Sequence, residues 1–360
     1  MSKLEKKTDK YLTQQHKLHW HLDRVSDWSK GKAIVPLYID MGITQTCNIH
    51  CQYCYYATPE NRTTKIITTE NLIKFLKEAS EIGVKAIGFL GDGEPTVHPG
   101  CTDAVIAGAD AGLDMAISTN GAILKEENLD KFLASLTYIR FNISAASPES
   151  YSKVMGTAPK MFNQVTKNIK KCVELKKKLK LKTTIGMQMV LVEECVDQIV
   201  PYAKLGKELG VDYVQIKQCS EHGSIPHGII PKDYNSYEDL FKQAESYATK
   251  EYSVMIKRLK MNNKIRTYNA CFGCRFLPQI DGAGDVYPCG NWFGSKEFHM
   301  GNINEKSFKD IVFSKRYEEV QRKVSEKVNV HKQCGTGCRQ NEINEYLWNL
   351  KNPPEHINFI

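Results

Sequence analysis

The chain has 360 residues, 41% of them apolar and 25% charged, with a formal net charge of +8. This is the make-up of a globular protein with one large domain and a smaller one. No apolar run approaches the ~18–20 residues that span a bilayer, and the charged start Met1 to Lys10 has no apolar segment behind it, so neither a membrane span nor a secretory signal is expected, and a cytoplasmic protein is.

Residues 1–33 are polar, with Trp20, Trp28, His16, His19 and His21, and read as a helical lead-in (1–35) packing on the main domain. From Pro36 strands alternate with helices. The predicted strands are Pro36–Met41, Ala86–Leu90, Asp114–Ser118, Tyr138–Ser144, Thr183–Val192 and Val211–Lys217. The predicted helices are Thr69–Ile82, Gly100–Ala111, Lys125–Ala134, Asn163–Leu179 and Val196–Leu209, with Gly83, Gly112 and Gly210 at helix ends. Six such units predict an α/β fold with a parallel sheet, a partial (β/α)6 TIM-like barrel over 36–222, with its chemistry at the C-terminal ends of the strands. The basic stretch Lys167 to Lys182 has apolar residues at helical spacing and reads as the solvated face of an amphipathic helix; a docking surface for nucleic acid or an acidic protein is the competing reading.

After residue 222 the pattern changes. Pro226, Gly228 and Pro231 mark a linker, followed by a helix near Tyr237–Tyr247 and a strand Val254–Lys260, which together form a bridge over 223–265. A small α+β domain follows over 266–345. It holds a hairpin within Ile280–Tyr287 and a charged helix Ser307–Lys327, and a tail occupies 346–360.

Twelve cysteines are many for a reducing compartment, where disulfides are rare. Eight are grouped: Cys47, Cys51 and Cys54, then Cys271, Cys274, Cys289, Cys334 and Cys338. Cys101, Cys172 and Cys195 read as small buried hydrophobes. Cys47, Cys51 and Cys54 stand at Cys-x3-Cys-x2-Cys directly after the first strand. Three close thiolates suit a soft metal site, zinc or an iron–sulfur cluster, and no fourth ligand nearby completes a zinc-finger spacing.

The cysteine spacing, Tyr53 before the third cysteine and the strand in front resemble the signature of the radical S-adenosylmethionine (radical SAM) superfamily. The resemblance implies a [4Fe–4S] cluster on Cys47, Cys51 and Cys54 whose open iron chelates S-adenosylmethionine, and a 5′-deoxyadenosyl radical that abstracts a substrate hydrogen. Gly91-Asp92-Gly93-Glu94-Pro95 resembles the family's Gly-Gly-Glu-Pro motif, with Asp92 at the first glycine. Gly93 and Glu94 are thereby expected to contact the methionine amino group. Ser118, Asn120 and Ser144 fall where the family holds ribose and carboxylate, and Tyr53 where an aromatic residue lies near adenine.

The C-terminal cysteines resemble the auxiliary-cluster modules of such enzymes, the SPASM and shorter twitch domains. Five cysteines imply one auxiliary [4Fe–4S] cluster, the twitch form, on Cys271, Cys289, Cys334 and Cys338. Cys274 is left over; Cys274 could replace one of the four, or Cys-x2-Cys-x14-Cys could form a three-cysteine cluster as in the GTP-cyclising enzyme of molybdenum-cofactor synthesis. A structural zinc is the alternative.

The architecture is similar to that of twitch enzymes that oxidise or epimerise carbohydrates and aminocyclitols. The implied substrate is a sugar or nucleotide-linked small molecule, and the implied reductant is a flavodoxin or a ferredoxin-type donor. Cys219 and Lys217 end the sixth strand, beside His222. Cys219 is a candidate hydrogen-atom donor for an epimerase, and Lys217 or His222 a candidate base for a dehydrogenase. A peptide-modifying enzyme is the runner-up, and a non-catalytic metal-stabilised binding module a third reading.

Overall fold

The computed structural model describes residues 11, 15–54, 56, 63–220, 228–262, 266–335 and 337–359. Seven parallel strands follow one another across the sheet in chain order: β1 (Tyr38–Met41), β2 (Ala86–Phe89), β3 (Asp114–Thr119), β4 (Leu136–Asn142), β5 (Thr184–Leu191), β6 (Tyr213–Gln218) and β7 (Ser253–Ile256). Each step is one strand sideways, as a barrel wound from β-α units requires. The six expected strands are all present. The bridge is different from its expectation: Val254–Lys260 splits into β7, which pairs with β6, and a helix Arg258–Asn262. The barrel therefore has a seventh strand, and the region 223–265 is partly barrel.

Side chains alternate across each strand. One face carries Ile39, Met41, Ile87, Phe89, Ile117, Phe141, Met187 and Ile216, which join Leu72, Phe75 and Leu76 of the helix Thr69–Glu81 in one apolar core. Cys101, Cys172 and Cys195 are buried in the same core. The opposite, inner face is polar: Asp40, Ser118, Arg140, Asn142, Gln188, Gln215 and Lys217.

The C-terminal module is joined to the barrel through the sheet. β8 (Gln279–Ile280) pairs in parallel with β1 and antiparallel with β9 (Asp285–Tyr287), and β10 (Gly301–Asn302) closes the edge. The expected helix Ser307–Lys327 is two helices, Phe308–Val312 and Lys315–Lys327, because Ser314 caps the second by accepting the Tyr317 N–H. Phe308 packs edge-on against Phe75 at 5.1 Å. The expected boundary at 345/346 falls inside a helix, Asn341–Lys351, whose Leu347 is fully buried.

The lead-in has the helix Leu22–Ser29, but its main partner is the C-terminal module. Leu18, Val25 and Trp28 form a separate cluster with Phe276 and Leu347, while Arg24 keeps a tie to the barrel through the Gly83 carbonyl at 3.3 Å. Among the described residues no helix is long and apolar enough to cross a membrane.

Candidate active site

The loop after β1 carries Cys47, Cys51 and Cys54, and its backbone is pinned from three sides. The Thr46 carbonyl accepts the Glu94 N–H at 2.9 Å, the Asn48 side chain accepts from Asn120 Nδ2 at 2.7 Å, and the Gln52 N–H reaches the Val154 carbonyl at 3.0 Å. Val154 belongs to the helix Pro148–Met155, which sequence reasoning missed although Ser147 and Pro148 form a capped start. Gly156 ends that helix in the left-handed region, φ 59°, and a Cβ there would collide with the His50 carbonyl.

The Cys47 and Cys54 thiols are near enough to act on Cys51 electrostatically. Burial, then the neighbouring Cys54 and Cys47 thiols, push the Cys51 thiol up. Such crowding disfavours three thiolates unless cations neutralise them.

The glycine motif after β2 lies against this loop. A Cβ at Gly93 would collide with the carbonyl oxygens of Thr44 and Thr46. Glu94 is only 4% exposed. Its Oε1 accepts from Thr96 N–H at 3.0 Å, Thr96 Oγ1 at 2.7 Å and Thr119 Oγ1 at 2.6 Å, and its Oε2 from Asn120 N–H at 2.7 Å. Glu94 thus fastens the turn after β2 to the end of β3, and Asn120 reaches on to the cysteine loop.

Ser118 sits on the inner face of β3, where its hydroxyl donates to Asn142 Oδ1 at 3.2 Å and accepts from Arg140 Nε at 3.2 Å. Ser144 is fully buried. Its hydroxyl donates to the Tyr53 phenol at 2.9 Å and accepts from the Val190 N–H at 3.0 Å, so its reach toward a ligand runs through Tyr53.

On β6, Lys217 faces inward, and burial with the nearby Arg140 and Lys260 lowers its ammonium to about 8. Cys219 is 2% exposed, with its N–H donated to the Tyr234 hydroxyl at 3.1 Å. His222 lies outside the described residues.

The C-terminal cysteines also act on one another electrostatically. Burial and the neighbouring Cys271 thiol push Cys334 up to about 11 and Cys338 up to about 12, and Cys289 is raised for the same two reasons. Cys271 itself is lowered, first by a hydrogen bond from Cys274. Cys274 is buried, with Gln321 Oε1 2.9 Å from its sulfur. Asn344 Nδ2 donates to Cys271 Sγ at 3.4 Å while Asn344 Oδ1 accepts the Phe272 and Gly273 N–H groups, both at 2.7 Å. Gln340 accepts from the Cys271 thiol at 3.3 Å. Gln321, Gln340 and Asn344 were not singled out by sequence. The spacing of Gln340 and Asn344, four apart just after Cys338, is the signal that would have shown one polar helix face turned to the cysteines.

Residues 41–205 match the model of the radical SAM superfamily, and residues 271–339 match the iron–sulfur cluster-binding SPASM domain. A GTP 3′,8-cyclase of Helicobacter pylori is 30% identical over 262 residues, covering 70% of this chain and 79% of that one. The chain belongs to the radical SAM superfamily. An AdoMet-dependent heme synthase of Methanosarcina barkeri is 25% identical, covering 84% of this chain and 91% of the relative. Among solved structures, Streptococcus suis SuiB bound to S-adenosylmethionine superimposes with a TM-score of 0.64 at 19% identity, over 84% of this chain and 72% of SuiB.

A radical SAM enzyme with a SPASM domain holds S-adenosylmethionine on one [4Fe–4S] cluster and carries auxiliary iron–sulfur chemistry at its C-terminus. The residues fit both. Soft thiols stand in two groups, one beside a glycine cradle with no room for a Cβ and the other backed by amides that donate to and accept from sulfur.

Asp92, at the motif's first glycine, joins the two halves of this radical SAM enzyme. Its carboxylate oxygens accept the Gly282 N–H at 3.0 and 3.1 Å, and Gly282 opens the turn between β8 and β9. Burial pushes Asp92 up to about 6; burial, then the charge of Asp92 and of Asp285, pushes Asp281 up to about 7. Raised carboxyls bind protons more tightly in the folded state. Their contribution is therefore fully present below about pH 4 and is lost as pH rises through about 6–7. Asp281→Asn keeps an acceptor for the Ala283 and Asp285 N–H groups. Its melting temperature relative to wild type is expected to be higher at about pH 8 than at about pH 5. An equal difference at both pH values would mean that the pair does not titrate in this window.

Proposed function

We propose that this radical SAM enzyme abstracts a carbon-bound hydrogen from a hydroxyl-rich small molecule, a sugar or nucleotide-linked sugar, and so oxidises or epimerises it. The observation that carries the reading is a ladder of neutral polar groups across the inner face. Ser118 donates to Asn142 Oδ1, Gln188 Nε2 donates to the same oxygen at 2.9 Å, and Gln215 Nε2 donates to Gln188 Oε1. Amides and hydroxyls held this way present fixed donors and acceptors to substrate hydroxyls. The nucleotide named in the GTP cyclase relative supports a nucleotide-linked substrate.

In this reading Cys47, Cys51 and Cys54 hold the first cluster, and Gly93, Glu94, Ser118 and Asn120 hold S-adenosylmethionine, with Tyr53 near its adenine and Ser144 steadying Tyr53. Cys271, Cys289, Cys334 and Cys338 hold the auxiliary cluster. When bound, these groups supply the 5′-deoxyadenosyl radical and an acceptor for one electron. Lys217, lowered to about 8, takes the hydroxyl proton if the product is a ketone. Cys219 returns a hydrogen atom if the product is an epimer. The enzyme works in the cytoplasm with a flavodoxin or ferredoxin-type reductant.

The test has two arms. Carbon-deuterated sugars, nucleotide sugars and peptides are each offered to the reconstituted enzyme, and transfer of the label to 5′-deoxyadenosine is read. Label arriving only from peptides would replace this reading with the peptide-modifying one. Cys219→Ala is then run in deuterated water on the substrate found. An epimerase loses its product and solvent deuterium at carbon yet still makes 5′-deoxyadenosine, whereas a dehydrogenase keeps its ketone.

A further inference from the structure

We infer, on the reading of Cys271 as a ligand of the auxiliary cluster, that Asn344 raises the reduction potential of that cluster by giving the Cys271 sulfur a fixed N–H donor. Asn344 is 1% exposed, on the helix Asn341–Lys351, three residues before the fully buried Leu347. Its Oδ1 is taken up by two backbone donors, the Phe272 and Gly273 N–H groups, both at 2.7 Å. An amide with its oxygen so committed turns its nitrogen the other way. There Cys271 Sγ accepts from Asn344 Nδ2 at 3.4 Å. The turn and the helix are pressed together, since a Cβ at Gly273 would stand 3.1–3.2 Å from Gln340, Ile343 and Asn344. Fastening this turn uses only the oxygen of Asn344, an atom that a carboxylate also has. The nitrogen is left for the sulfur.

Gln340 faces the same sulfur in the opposite sense. Its Nε2 donates to the Leu277 carbonyl at 2.8 Å and the Pro288 carbonyl at 3.4 Å, which turns its Oε1 to Cys271, 3.3 Å from Sγ. An oxygen there suits a thiol, which has a proton to give. A cysteine that binds iron releases that proton. The Asn344 bond survives the loss and the Gln340 bond does not. Cys274 is also a donor toward Cys271, but a thiol is a weak one. An N–H on a ligand sulfur stabilises negative charge there, and hydrogen bonds to sulfur are among the factors that set the potential of an iron–sulfur cluster. Asn344 thus favours gain of an electron at the auxiliary site, the direction needed where a substrate is oxidised and gives up one electron.

The test uses the full-length, anaerobically reconstituted enzyme in a redox titration followed by electron paramagnetic resonance. The signal that changes when S-adenosylmethionine is added marks the first cluster and is the internal reference. Asn344→Asp keeps the oxygen for both backbone N–H groups and loses the donor; Asn344→Leu loses the donor without adding a charge. In each, the midpoint potential of the other signal is expected to fall by about 59 mV or more, a tenfold shift in a one-electron equilibrium, while the reference stays in place. Full iron content with an unmoved auxiliary potential would overturn the proposal, as would an equal shift of both signals. A fall in Asn344→Asp with none in iron-loaded Asn344→Leu would be the effect of the added charge and would also overturn it. If Asn344→Asp fails to load a second cluster, Asn344 is a fastener of the turn and the proposal fails. Cys271→Ala tests the ligand assignment separately, and loss of the second cluster is expected. Retention of about eight irons would remove Cys271 from the ligand set and the inference with it. Loss of that cluster beside unmoved potentials in the Asn344 variants would leave the ligand set standing and overturn the inference alone.

Discussion

Replacing Cys47, Cys51 and Cys54 together by alanine is expected to abolish cleavage of S-adenosylmethionine and to remove about half of roughly eight irons, the content of two four-iron clusters. The effect is all-or-none because no other thiol replaces these three. Cys101, Cys172 and Cys195 are buried in the apolar core, and Cys219 is at the far end of β6. The protein should still fold, because the loop is pinned by its backbone and by Asn48. The thiols of Cys271 and Cys274 are held by Gln321, Gln340 and Asn344, none of which belongs to the first loop. Iron and sulfide analysis and chromatography of 5′-deoxyadenosine check the result. Cleavage that survives half-loading would move the S-adenosylmethionine site to the C-terminal cysteines. Stoichiometric zinc without sulfide would remove both cluster assignments.

The barrel strands and most helices were legible because each buries one periodic face. What escaped was short or non-local. β7 is four residues long, and its apolar run continues into a helix, so nothing local marks where pairing stops. The break at Ser314 was visible as a capping residue but lay inside a continuous charged amphipathic pattern. Arg140 and Gln215 look like ordinary polar residues in a strand, and only the register of β3 to β6 shows that they share one face. The Asp92–Gly282 bond spans 190 positions and the Arg339–Asp40 pair comes from opposite ends of the chain. Contacts of that length leave no periodic trace. Asp92 is instructive, because it is where the sequence departs from the glycine motif. In the structure it fastens the glycine-motif loop to the β8–β9 hairpin that precedes Cys289.

Glu94 carries the other large expected effect, and two functions have to be separated in it. Glu94→Ala removes the acceptor of four hydrogen bonds at a site 4% exposed, leaving the Thr96 and Asn120 N–H groups and two threonine hydroxyls without it. The expected cost is about 3–5 kcal/mol of stability, the range for breaking a buried charged network by removing one partner. Burial raises the carboxyl while the donors at Asn120, Thr119 and Thr96 lower it, so the ion survives burial because these donors solvate it. Glu94→Gln keeps an acceptor at Oε1 for three of the donors and sets an amide N–H against the Asn120 N–H at Oε2. Its stability loss should be the smaller of the two. If the carboxylate also meets the amino group of S-adenosylmethionine, glutamine should lose cofactor affinity almost as fully as alanine, by about tenfold or more, because the charge is what an ammonium needs. Iron content should be intact in both, since neither change touches a thiol. Equilibrium binding of S-adenosylmethionine set against melting temperature separates the cases. Affinity that falls only in step with stability makes Glu94 a fastener of the turn. Affinity lost in the well-folded glutamine variant makes it a cofactor contact, and the fastening bonds are then what holds its carboxylate in place to make that contact.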